Sequence, residues 1–106
     1  MENMELIIFD IINSAGTAKG LAYEALEEVI NGNYEKADEL LAESDKELVV
    51  AHKIQTKLIQ DEANGIHHDV TVLFVHAQDH LMNAMEARSL ISYLISLQKQ
   101  VNKISC

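Results

Sequence analysis

The chain is predicted to be all-α, an antiparallel bundle of three helices running up-down-up, on three observations. Hydrophobic residues make up 48% of the 106 positions but aromatic ones only 5%, and there is no proline, so Leu, Ile, Val, Ala and Met must do the packing. Only two glycine-containing breaks punctuate the chain, Ile30-Asn31-Gly32-Asn33 and Ala63-Asn64-Gly65-Ile66, each at the end of a long helix-compatible stretch, as C-terminal caps require. Between them apolar residues recur at helical spacing. The expected helices span about residues 3–31, 34–63 and 69–104, each on the order of 45 Å long. Connections this short make neighbours antiparallel. The length suits one domain over residues 1–106, with no linker, repeat or low-complexity tract.

The first helix carries Ala15, Gly16, Ala18, Gly20 and Ala22, a small-residue strip read as a surface for close helix packing. Acidic and basic side chains recur from Glu24 to Glu47, which marks a solvated face and no site. The third helix has two apolar sides. Phe74, Ala77, Leu81, Ala84, Ile91 and Ile95 form one, while Met82, Leu90, Leu94, Leu97, Val101 and Ile104 form another. A three-helix monomer covers only one of these, so self-association is expected.

Charge and motif content exclude several function classes. Seventeen acidic against eight basic residues give a net charge of −9, with no basic run to follow a phosphate backbone, which argues against nucleic-acid binding. No apolar run approaches the ~20 residues that cross a bilayer, and the acidic N-terminus resembles no signal peptide, so a cytoplasmic protein is expected. The lone Cys106 is read as an ordinary tail residue. There is no phosphate-binding glycine loop, serine nucleophile elbow, His-Glu-x-x-His or paired Glu-x-x-His motif. His67 and His68, in the connection before the third helix, are read as exposed turn residues.

What remains is the segment Leu73-Phe74-Val75-His76-Ala77-Gln78-Asp79-His80-Leu81-Met82. Relative to His76, Asp79 lies about 60° to one side and His80 about 40° to the other, with Asn83 about 20° away. Ionisable groups set in an apolar run are costly unless paired, metal-bound or used in chemistry. An imidazole titrating near ~6.5 offers a nucleophilic nitrogen at neutral pH, so His76 could accept a phosphoryl group, shuttle protons or bind metal. Two other readings stand beside phosphoryl transfer. One is a noncatalytic metal-binding helical oligomer using His76, His80 and Asp79 with a further ligand from His52; the other is an adaptor whose second apolar face binds a partner helix.

Asn13-Ser14-Ala15-Gly16 with Glu24-Ala25-Leu26, then Ala51-His52-Lys53-Ile54-Gln55-Thr56, and finally Val75-His76-Ala77-Gln78-Asp79-His80-Leu81-Met82 resemble, in order, the lactose/cellobiose-type enzyme IIA of the bacterial sugar phosphotransferase system. The resemblance implies a cytoplasmic phosphocarrier associated as a homotrimer, a nine-helix assembly. Its phosphorylated histidine matches His76. Its aspartate, which gathers around the threefold axis and binds one divalent cation, matches Asp79; for carboxylate ligands magnesium is the most available oxygen-seeking choice. Supporting positions match His80 and, more loosely, Gln78, His52 and Gln55. The implied partners are the histidine-containing phosphocarrier protein as donor and a cysteine of the cognate enzyme IIB as acceptor. Arg88 lies more than three turns beyond His76, so charge stabilisation is expected from His80, a neighbouring subunit or the docked partner.

Overall fold

A computed structural model describes residues 2–104; Cys106 lies outside them. Three helices account for most of the chain: α1 (Glu2–Ile30), α2 (Tyr34–Ala63) and α3 (Val72–Ile104). Both glycine breaks end helices as expected. Gly32 and Gly65 each adopt φ +84°, where a side chain is strained. At the first, Asn33 N donates to Glu28 O at 2.8 Å and Gly32 N to Val29 O at 3.0 Å; at the second, Ile66 N donates to Asp61 O at 2.8 Å and Gly65 N to Glu62 O at 3.1 Å. These paired bonds are Schellman caps, which satisfy the last carbonyls of α1 and α2.

The third helix begins at Val72, not near residue 69. Thr71 sets that boundary: its Oγ1 accepts from Phe74 N at 3.1 Å and its carbonyl from Val75 N at 3.0 Å. A threonine cap stops the helix from extending backward through Asp69 and Val70.

The up-down-up order is confirmed by cross-helix partners. Asp45 meets Arg88 while Gln55 meets Gln78, so α2 and α3 run oppositely. Gly16 lies by His80 and Val29 by Asn102, so α1 and α3 run together. Within one chain α1 is the central helix, packed along both others, whereas α2 and α3 meet only sparsely. Alanine spacing explains this. Ala15, Ala18, Ala22 and Ala25 are fully buried, which lets both neighbours approach the α1 backbone. Gly20 departs from the expected strip, standing exposed with nothing near its would-be Cβ.

The core has two sections. Ile8, Ile11, Leu58 and Leu81 anchor the first, and Val29, Leu40, Ile91 and Ile95 the second. Ser44, buried at the level of Ala18, donates from Oγ to the Ala18 carbonyl at 2.7 Å, so its hydroxyl is satisfied without water. At the far end Asn102 Nδ2 donates to Val29 O at 2.9 Å and to the Tyr34 hydroxyl at 2.8 Å, fastening the end of α3 over the α1–α2 turn.

The two faces of α3 separate as the spacing predicts. Ala77, Leu81, Ala84, Ile91 and Ile95 are buried, whereas Met82, Leu90, Leu94, Leu97, Val101 and Ile104 are exposed. Among the described residues no helix is long and apolar enough to cross a membrane.

Candidate functional site

The polar stripe of α3 lies on the surface of the single chain. His76 and Asp79 are exposed and His80 is half-buried, so the expected cost of placing three ionisable groups in a core does not arise here. The reason is angular: this stripe flanks the second apolar face, which α1 and α2 leave uncovered. His80 is the best-anchored of the three. A Cβ on Gly16 would stand 3.6 Å from its Nε2, an ordinary contact, so α1 passes close by and walls one side of the imidazole.

The rings of His76 and His80 stack, with centroids 5.7 Å apart and planes 26° from parallel. That separation follows from i,i+4 placement on one helix. It brings a second imidazole beside the exposed one, where it can donate to, or share charge with, an anion carried by its neighbour. Asp79 Oδ2 accepts weakly from Asn83 Nδ2 at 3.4 Å and points away from α1 and α2.

Gln78 and His52 sit elsewhere. Two helical positions on from His76, Gln78 faces the opposite flank, where its Oε1 accepts from Gln55 Nε2 at 2.5 Å across to α2. His52 lines a groove between α2 and α3 with Leu48, Met85 and Arg88. The intrachain metal site that adds His52 to His76, His80 and Asp79 is therefore not formed: among the described residues no three His, Cys, Asp or Glu side chains come together to hold a metal ion. Arg88 is also committed elsewhere, its Nε and Nη2 donating to Asp45 at 2.8 and 3.0 Å and its Nη1 to Ser92 Oγ at 2.5 Å.

Sequence reasoning missed one cluster. Lys57 Nζ donates to Asp61 Oδ1 at 2.6 Å, and His68 Nε2 stands 3.0 Å from Asp61 Oδ2. Asp61 is buried and His68 half-buried, which corrects the reading of His68 as an exposed turn residue; His67 is exposed as expected. The Lys57 ammonium, and then His68, hold the Asp61 carboxyl below the usual carboxylate range. The i,i+4 spacing of Lys57 and Asp61 was visible in the sequence, but the return of His68 across the turn was not.

A long three-helix protein that stacks an exposed histidine on a half-buried one along a single helix offers an imidazole nitrogen for chemistry at its surface. Residues 6–99 match the family model for the lactose/cellobiose-specific IIA subunit of the phosphotransferase system, and the chain belongs to that family. It is 42% identical to the lichenan-specific phosphotransferase enzyme IIA component of Bacillus subtilis (strain 168), over 96% of this chain and 93% of that protein. It is 39% identical to the N,N'-diacetylchitobiose-specific EIIA component of Escherichia coli (strain K12), over 94% and 86% respectively. Among solved structures, the cellobiose-specific enzyme IIA from Bacillus anthracis superposes with a TM-score of 0.92 at 39% identity, covering 97% of this chain and 94% of that one. The chitobiose IIA solved in complex with HPr from Escherichia coli superposes at 0.80 with 38% identity, covering 92% and 95%. The chain is thus a IIA component of a sugar phosphotransferase uptake system.

Proposed function

We propose that this chain is a cytoplasmic phosphocarrier in which His76 accepts a phosphoryl group from phosphorylated HPr and passes it to a cysteine of its enzyme IIB. The observation that carries the reading is the exposed His76 imidazole stacked on His80, on a rigid helix, within a chain of this family. A neutral ring nitrogen of His76 attacks phosphorus in line as the phosphorus–nitrogen bond of the donor breaks, and the donor imidazole leaves with the electron pair. In the second step a thiolate attacks and His76 leaves in the same way. Such transfer asks the protein for position and charge more than for covalent help. His80, its ring stacked on that of His76, is the neighbouring group placed to contribute to both.

The homotrimer belongs to the same proposal. Leu90, Leu94, Leu97, Val101 and Ile104 alternate steps of four and three residues, the knobs-into-holes seam of a coiled coil. Leu97 is 61% and Ile104 84% exposed, too much apolar surface for a helix meant to face water. Asp79 and Leu97 are five turns apart on α3 and so share one direction. Whatever covers Leu97 also approaches Asp79. If three parallel α3 helices meet along this seam, three carboxylates converge, and they repel unless a cation or protons intervene. The donor set would be carboxylate oxygen, which suits magnesium better than zinc. His76 and His80, on the flank of the seam, would then border the neighbouring subunit.

The test is chemical. Incubated with phosphoenolpyruvate and the upstream carriers, the protein should acquire an acid-labile, base-stable phosphoryl group that is discharged on adding enzyme IIB. A label stable to acid, or one that enzyme IIB cannot remove, would contradict the reading.

A further inference from the structure

We propose that Asp61 is a positioning residue for phosphoryl transfer, acting through His68 to fix the connection from which α3 springs and thereby where His76 stands. The proposal rests on the reading of His76 as the phosphoryl acceptor.

Residues 64–71 form the longer of the two connections, and after the glycine cap they have no regular secondary structure. Such a segment is held only by what its side chains touch. Asp61 grips it twice. Its carbonyl accepts from Ile66 N at 2.8 Å, closing the cap, and its carboxylate stands 3.0 Å from His68 Nε2, two residues farther on. A buried carboxylate is costly unless partnered, so this one exerts a directed hold on His68. Lys57 completes the partnership from outside, but its side chain is 71% exposed, whereas His68 and Asp61 are 23% and 13% exposed. Lys57 belongs to α2, as Asp61 does, so of the two partners it is His68 that carries the carboxylate's hold onto the connection.

From His68 the constraint reaches α3 by a short path. His68 lines a small cavity of ≈ 100 Å³ together with Leu58, Phe74 and Gln78. Phe74 and Gln78 flank His76 in sequence, and Phe74 N is the group capped by Thr71 Oγ1. Three residues past the clamp, Thr71 also accepts from Val75 N, immediately before His76. His76 thus sits in the first turns of a helix whose start depends on Thr71, and the approach to Thr71 is pinned by His68. Helix ends fray where such ties are lacking, and a displacement near 1 Å can slow an in-line transfer by ~100-fold.

The experiment compares wild type, His68→Ala, Asp61→Asn and His68→Gln, all as full chains, for phosphorylation by phosphorylated HPr. Circular dichroism and sedimentation establish fold and assembly, and amide exchange at residues 72–76 reports on the helix start. With fold and assembly intact, His68→Ala and Asp61→Asn should lower kcat about tenfold with KM for the donor within about twofold, and speed exchange at residues 72–76. His68→Gln keeps an N–H for Asp61 and should recover most of the rate. Wild-type kcat in both folded disruptive variants overturns the proposal, as does a His68→Gln variant as slow as His68→Ala. Loss of fold in all three would make the cluster a folding element, and also overturn it. If wild type itself takes no phosphoryl group, the reading of His76 fails first; if it does and the variants match it, only the positioning role fails.

Discussion

Between residues 72 and 87 the outward face of α3 sets His76, Asp79, His80 and Asn83 among the exposed Val72, Val75 and Met82, whereas from residue 90 to 104 it carries Leu90, Leu94, Leu97, Val101 and Ile104. The two halves belong to one helix and leave similar directions uncovered by α1 and α2. Their difference is chemical. The first half offers nucleophilic and acidic groups that work best near water, and the second offers apolar surface that water disfavours. In the proposed trimer the second half carries most of the subunit contact, and His76 stays accessible at its edge.

Substitutions can break this division at either half. The largest effect on assembly is expected from Leu97→Glu, which would set a charge among apolar side chains in each subunit; trimer affinity should fall at least about 100-fold by sedimentation equilibrium while helical content holds. A trimer unaffected by this change would place the subunit contact elsewhere. Asp79→Leu tests the opposite half. If the three carboxylates share an axis as proposed, removing them should preserve or tighten the trimer and abolish bound divalent cation by elemental analysis. Loss of the trimer would instead make the cation-bound carboxylates the source of its stability.

Smaller effects separate the two glycine-capped turns from the exposed middle of α1. Gly20→Ala should raise unfolding stability by about 1 kcal/mol, because nothing lies near the added methyl and the site is helical. Gly32→Ala should lower it by about 1 kcal/mol, since φ +84° is strained for any Cβ. Denaturant titration of both variants gives the signs directly. The turn before α3 should also be acid-sensitive. Asp61 titrates lower in the folded chain than when unfolded, so its contribution is complete above the ordinary carboxylate range near ~3.9 and is lost as pH falls through the folded value. Faster exchange of Ile66 N–H below about pH 4, ahead of the α1 core amides, would register that loss.

The fold was largely legible in the sequence because its determinants are local: two glycine caps, helical spacing of Ile, Leu and Ala, and the absence of proline. The buried and exposed faces of α3 were separable for the same reason. Other features depend on tertiary geometry. That α1 is the central helix of the chain follows from how closely Ala15, Ala18 and Ala22 admit both neighbours. That α3 starts at Val72 follows from a threonine cap competing with continued helix. The spacing of His76, Asp79 and His80 revealed a shared stripe, but a polar stripe in an apolar helix reads alike whether its own chain covers it or another subunit approaches it. Here its own chain does not. His68 was misplaced because its partner, Asp61, lies on the other side of a turn.

The most direct measurement of the central claim is the intact mass of the protein after incubation with phosphoenolpyruvate, the upstream enzyme and HPr, for wild type and His76→Ala side by side. Wild type should gain about one phosphoryl group per chain and His76→Ala none, with both keeping the same helical content and assembly. A full mass gain in His76→Ala would move the acceptor to another residue, with His80 the first to examine, and would contradict the assignment of His76.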